Sequence, residues 1–161
     1  MRSLFTFPNP VNEKAARAVA AGVLLIGLAT LITGWWWLTV PLAYGFIARV
    51  LSGPRLSPLG QFATRVVAPR LGRAVLVPGP PKRFAQGIGV GFSLAALILA
   101  AFGATAAAAV VLAVLVVFAG LESILGFCAG CFVFGRLMRA GIIPEDTCVA
   151  CANISLRQPV A

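Results

Sequence analysis

From Ala18 to Thr33 every residue is apolar or small. With the polar entry turn of Asn12, Glu13, Lys14 and Arg17, the stretch reaches the roughly 20 residues that cross about 30 Å of hydrocarbon. Asn9-Pro10 before it has the form of an N-cap followed by proline at the first helical position. No small-residue cleavage site follows the run, since Gly34 leads into Trp35-Trp36-Trp37, so the pattern predicts a retained span over about 16–33 rather than a signal peptide. A second run predicts a span over about 35–51, with Pro41 expected to kink it because proline removes a backbone donor. Further runs predict spans over about 84–102 and 105–127. The helical pattern of the last allows it to continue to Ala140, where Gly141 is a plausible C-cap.

Between Ser52 and Arg83 proline, glycine and arginine dominate, and no span is possible. Ser57-Pro58 is a capped helix start, and Leu59, Phe62, Ala63, Val66 and Val67 fall on one helical face. A short interfacial helix ended by Pro69 is expected there, lying in the membrane surface. Pro78 to Arg83 is expected to form a stiff lead into the third span, where Gly87, Gly89 and Gly91 permit close helix approach.

Charge fixes the orientation. The thirteen Lys and Arg residues all fall in the N-terminal arm and entry turn, the loop between spans two and three with its edge, or the C-terminal segment. The two short turns near Thr33-Gly34 and Gly103-Ala104 carry none, and the three tryptophans suit the opposite headgroup level. The expected fold is an all-α membrane protein in which four transmembrane helices form one bundle. Both termini are cytoplasmic, and residues 1–161 make a single domain with a cytoplasmic cysteine-containing tail, 128–161.

Composition agrees: 60% of the chain is hydrophobic and 11% charged, with a mean hydropathy of +1.00, whereas a soluble domain is about half apolar and a quarter charged. The net charge of +9 fits basic loops against anionic headgroups. No aromatic-interleaved basic patch or groove-reading helix points to nucleic acid. The absence of histidine removes Ser-His and Cys-His nucleophiles, His-ligated haem and imidazole-dependent zinc sites.

The chemistry that remains is concentrated near the C-terminal end. Glu122 is the only acid inside a long apolar run; it should face the bundle interior, protonated or paired. It serves there either as a structural hydrogen-bond group or as a proton acceptor for cysteine chemistry. Cys128 and Cys131, at i and i+3, are neighbours on a helical face. On a continuous helix Glu122 lies about 9 Å along the axis from Cys128, so direct proton transfer needs a bend, which Gly126 and Gly130 permit, or a water. Cys148 and Cys151 form a second pair, preceded by Pro144-Glu145-Asp146-Thr147, which resembles a helix start. The full pattern, C-x2-C-x16-C-x2-C, fits the ligand spacing of a four-cysteine zinc site. The same residues suit thiol redox or persulfide chemistry, and cysteine also serves as an inert small hydrophobe.

Several stretches carry a family resemblance together: Pro10-Val11-Asn12-Glu13, Gly53-Pro54-Arg55-Leu56-Ser57-Pro58, Pro80-Pro81-Lys82-Arg83-Phe84-Ala85-Gln86 and Gly126-Phe127-Cys128-Ala129-Gly130-Cys131. Taken in order over most of residues 7 to 135, they resemble a family of bacterial membrane proteins known as a domain of unknown function, DUF4395. Phe132 departs from the more polar residue expected after the cysteine pair in many members. The resemblance implies a bacterial cytoplasmic membrane location. Because some members are fused with or encoded beside thioredoxin-like or sulfurtransferase proteins, it also implies thiol or sulfur chemistry with such a partner.

Two functions follow as expectations. One is a membrane thiol-disulfide or sulfur-transfer component with Cys128, Cys131 and Glu122 as catalytic candidates and Cys148 and Cys151 as a second redox pair. The other is a non-catalytic membrane subunit whose tail is clipped to the fourth helix by zinc held on Cys128, Cys131, Cys148 and Cys151. Metal content separates them. The expected surroundings are the lipid bilayer and, for the first function, a thioredoxin-like or sulfurtransferase protein; the oligomeric state is open.

Overall fold

Asn12 caps the first helix: its Oδ1 accepts from the Lys14 amide at 3.0 Å. The computed structural model describes residues 7–152. Residues 1–6 of the expected N-terminal arm and 153–161 of the expected tail lie outside the described residues. Helix α1 spans Glu13–Thr33 and ends at Gly34, whose positive φ of 71° closes it in the left-handed conformation. The cap thus stands three residues after Asn9. Asn9 instead accepts from the Gly79 amide at 3.0 Å, because Val11–Asn12 (β1) pairs antiparallel with Leu76–Val77 (β2). This two-residue ladder ties the start of α1 to the start of a helix far along the chain.

A 3-10 turn, Trp36–Leu38, leads into α2, Thr39–Ser52. Its 14 residues make about 21 Å, shorter than the expected span because the tryptophan segment is not α-helical. Pro41 falls in the first turn of α2, where a helix tolerates proline. Ser57 caps α3, Pro58–Phe62, by accepting from the Gly60 amide at 3.1 Å, as its sequence predicts. A π turn, Ala63–Val67, and the short α4, Ala68–Arg70, complete this segment. The expected apolar face divides: Ala63 is buried, Leu59 half-buried and Phe62 exposed. Leu59 lies against Gly22 of α1. Pro69 sits inside α4 rather than ending the helix.

Helix α5, Gly79–Ala101, starts before the expected boundary, with Pro80 and Pro81 in its first turn. Helix α6, Thr105–Gly120, continues through a π turn, Leu121–Leu125. Among the described residues three helices are long and apolar enough to cross a membrane: Glu13–Thr33, Gly79–Ala101 and Thr105–Leu125. Their outward positions stay apolar, with Leu25 67% and Ile32 80% exposed, a surface compatible with lipid.

The contacts show how the helices run. Gly27 of α1 packs on Val116 of α6, so closely that an added Cβ would clash with Val116 Cγ2. Towards the start of α1, the Arg17 guanidinium donates to the Ser123 and Ile124 carbonyls at 3.2 and 2.8 Å. On α5, Gly89 receives the Phe46 ring of α2 and Arg83 Nε donates to the Val50 carbonyl at 3.0 Å. Each pair is therefore antiparallel. The cations of α1, α2 and α5 gather at one end; the exposed Trp35 and Trp37, with ring centroids 6.3 Å apart, mark the other. Val19, Val23, Phe46, Leu112, Leu115 and Val116 form the heart of the core between them.

Candidate thiol site

The last span does not continue to Ala140. Gly126 adopts a φ of 71°, the left-handed conformation that costs a residue bearing a Cβ about 1–2 kcal/mol. The chain breaks there, and a new helix, α7, spans Ala129–Arg139. Its close at Ala140 and the left-handed Gly141 (φ 72°) is the stop the sequence predicts. Gly130 brings the first turn of α7 onto α5, where an added Cβ would lie 2.6 Å from Ala85 Cα. Phe84 and Phe134 hold the next turn together with centroids 5.6 Å apart.

The break changes the setting of the first cysteine pair. Cys128 is the N-cap of α7, not a residue within a helix. Its Sγ accepts from the Cys131 amide at 3.3 Å and from the Cys131 thiol at 2.6 Å. Both thiols are free and half-buried. A sulfur at a helix N-terminus meets unpaired amides and the positive end of the dipole, which favour thiolate. The hydrogen bond from Cys131 holds the Cys128 thiol below its usual range. Lys82 and the Cys131 amide add to this, against opposition from burial and Glu122. Cys131 moves the opposite way: it donates to Cys128, is buried, and faces the charge that forms there. Cys128 ionises first.

Glu122 is paired. Its Oε1 lies 2.7 Å from Lys82 Nζ, with side-chain exposures of 15% and 8%. Lys82 stands in the first turn of α5. Nearby, Arg49 of α2 donates from Nε to Gln86 Oε1 at 2.7 Å and from Nη1 to Ser57 Oγ at 3.2 Å. Its guanidinium packs 4.5 Å from the Phe46 ring centroid, and among the described residues its buried Nη2 has no hydrogen-bond partner. Two buried cations, Arg49 and Lys82, thus face one carboxylate. Lys82 and Gln86 fall in a stretch that carries the family resemblance, but the sequence assigns them no role and Arg49 does not stand out; the spacing of Lys82 from Gln86, at i and i+4, would place them on one face of a helix recognised to begin at Gly79.

Glu122, Gln86, Cys128 and Gly130 line one cavity of about 260 Å³, whose remaining wall includes Val23, Phe46, Phe92, Leu115 and Phe118. The structure therefore brings together Cys128, Cys131 and Glu122, by the bend at Gly126. Phe132 is not part of the cavity lining: its exposed ring lies between Phe127 and the Arg136 guanidinium.

The second pair stands apart. Cys148 and Cys151 form a disulfide with a Cα–Cα distance of 5.2 Å. Cys148 is buried against Phe134 and Met138 of α7, with Cys151 packed beside it. A 3-10 turn, Glu145–Cys148, and α8, Val149–Ala152, carry them. Phe134 is about 9 Å along α7 from Cys128. Among the described residues no three Cys, Asp or Glu side chains are grouped to hold a metal. The geometry is two separate pairs, not the four-sulfur cluster a zinc clip requires.

The sequence model of a domain of unknown function, DUF4395, matches residues 11–139, most of the chain and all of the cavity-forming helices. The chain belongs to that family. No curated protein and no solved structure matches it.

Proposed function

We propose that the protein is a thiol-disulfide component of the bacterial cytoplasmic membrane, with Cys128 as attacking thiolate and Cys131 as resolving thiol. The observation that carries this reading is the capped pair: Cys128 Sγ at the start of α7 with the Cys131 sulfur 2.6 Å away. In the reaction, the Cys128 thiolate attacks a partner disulfide, forming a mixed disulfide and expelling one partner thiolate. Cys131 then gives up its proton and attacks Cys128 Sγ, which releases the second partner thiolate. The partner gains two electrons and the pair becomes a disulfide. Glu122, held by Lys82, receives the Cys131 proton through water. Cys148 and Cys151 are the second redox pair, and a thioredoxin-like or sulfurtransferase protein is the partner that family resemblance suggests.

In the same reading α2 is a fourth crossing. It runs antiparallel to α5, and the basic end faces the cytoplasm with both termini there, as segregation of Lys and Arg favours. After reduction, Cys148 and Cys151 then react with a membrane-impermeant thiol reagent in inverted vesicles and not in intact cells.

The activity is tested with an aromatic disulfide that releases a coloured thiolate. In a chain carrying Cys148→Ser and Cys151→Ser, Cys128 with Cys131 releases two equivalents. Cys131→Ser releases one and keeps the adduct, and Cys128→Ser reacts slowly. Glu122→Gln slows the second release more than the first. Equal release from both single-cysteine variants removes the assigned roles, and one zinc per chain replaces the reading with a metal clip.

A further inference from the structure

The cavity beside Cys128 extends among the helices of the apolar body. Its deeper wall is made by Val23 of α1, Phe46 of α2, Phe92 of α5 and Leu115 and Phe118 of α6, all within helices that form the apolar body. Its volume of about 260 Å³ falls just below the ~300–1,000 Å³ of drug-sized sites, which suits one substituted ring. One end alone is polar. There Cys128 and Glu122 stand near Gln86, whose Oε1 is taken by Arg49, so that its amide N–H groups remain as donors. Arg49 keeps a further donor, Nη2, which is buried without a partner among the described residues on a residue only 5% exposed. Its guanidinium lies over the Phe46 ring of the cavity wall.

An apolar slot lined at one end by the Gln86 amide, the Glu122 carboxyl and the Cys128 thiol, with Arg49 and Lys82 bonded to Gln86 and Glu122 behind them, fits a lipid-soluble ring bearing carbonyl acceptors. We infer that the cavity binds a membrane quinone, which oxidises the Cys128–Cys131 pair. This deepens the thiol reading and rests on it, with the same exchange run in reverse: a partner dithiol reduces the Cys128–Cys131 disulfide and is itself oxidised, and the quinone then re-forms that disulfide. The step balances: the two thiols lose two protons and two electrons and form one S–S bond, while the quinone gains both and becomes a quinol. Gln86 and the Arg49–Lys82 charge stabilise the negative oxygen that develops as electrons arrive.

The test uses the full chain in lipid nanodiscs, with Cys148→Ser and Cys151→Ser, reduced and freed of reductant. Decylubiquinone is added, and quinol formation and thiol loss are followed together. One quinol per Cys128–Cys131 pair is expected, and none with Cys128→Ser. Leu115→Phe and Val23→Phe, which narrow the cavity from different helices, each raise the quinone KM about tenfold with less effect on kcat, in proteins whose thermal melts show them folded. Decylubiquinone also slows alkylation of Cys128 in the unsubstituted cavity. If diamide, a small polar oxidant, closes the disulfide but decylubiquinone does not, the quinone site is overturned and the thiol reading stands. Quinone reduction indifferent to both cavity substitutions overturns it equally. If neither oxidant joins Cys128 to Cys131, the thiol reading itself fails.

Discussion

The Lys82–Glu122 pair should be among the most costly interactions to break by halves. At 2.7 Å and an effective dielectric constant of about 20, the attraction is about 6 kcal/mol. Removing both groups from water offsets much of that, because each ion loses several kcal/mol of hydration. Deleting one partner leaves the other buried and uncompensated. Lys82→Met or Glu122→Leu is therefore expected to cost about 3–5 kcal/mol, whereas the two together are near neutral or stabilising. At about 2–4 °C per kcal/mol for a chain of this size, each single variant melts about 6–20 °C below the parent, and the double variant recovers most of the loss. The assay is thermal unfolding in one detergent, read as a double-mutant cycle. Single losses under about 1 kcal/mol that simply add would refute the argument, since the two groups would then not share a buried contact.

Alkylation of Cys128 should become half-maximal below the pH of an ordinary thiol, about 8.5, because its reactive thiolate appears as pH rises through a lowered pKa. Lys82→Met removes a favourable charge and moves that midpoint up; Glu122→Gln removes an opposing one and moves it down. Shifts of the same sign, measured by mass spectrometry of the labelled peptide, would contradict the electrostatic assignment. Gly130→Ala places a methyl against the Ala85 backbone and is expected to cost about 1–3 kcal/mol while slowing resolution by Cys131; unchanged melting and kinetics would mean that α7 does not rest on α5 there.

Long apolar runs made the spans at Glu13–Thr33, Gly79–Ala101 and Thr105–Leu125 legible, because burying or exposing so much apolar surface leaves few alternatives. Their ends were less so. Pro80 and Pro81 read as a loop, yet a helix tolerates proline in its first turn, where amides lack partners. That misplacement hid Lys82 as the partner Glu122 requires. Gly126 was visible as a possible bend, but nothing local decides whether glycine in an apolar run continues or breaks the helix. The break depends on docking of α7 against Ala85 and Phe84, a tertiary contact, and it alone turns Cys128 into an N-cap. The β1–β2 ladder joins segments too short for periodicity to reveal. The four-cysteine spacing was legible and chemically apt, but spacing does not determine whether the tail packs against the first pair or farther along α7.

Equilibration of the protein at a series of defined thiol–disulfide potentials, followed by alkylation and peptide mass spectrometry, tests the central claim most directly. The account predicts that Cys128 and Cys131 become protected together as one two-electron couple, with a tenfold change in the ratio of oxidised to reduced pair for every ~30 mV. Cys148 and Cys151 should follow a separate curve. Alkylation of Cys128 and Cys131 independently of one another across all potentials would contradict it.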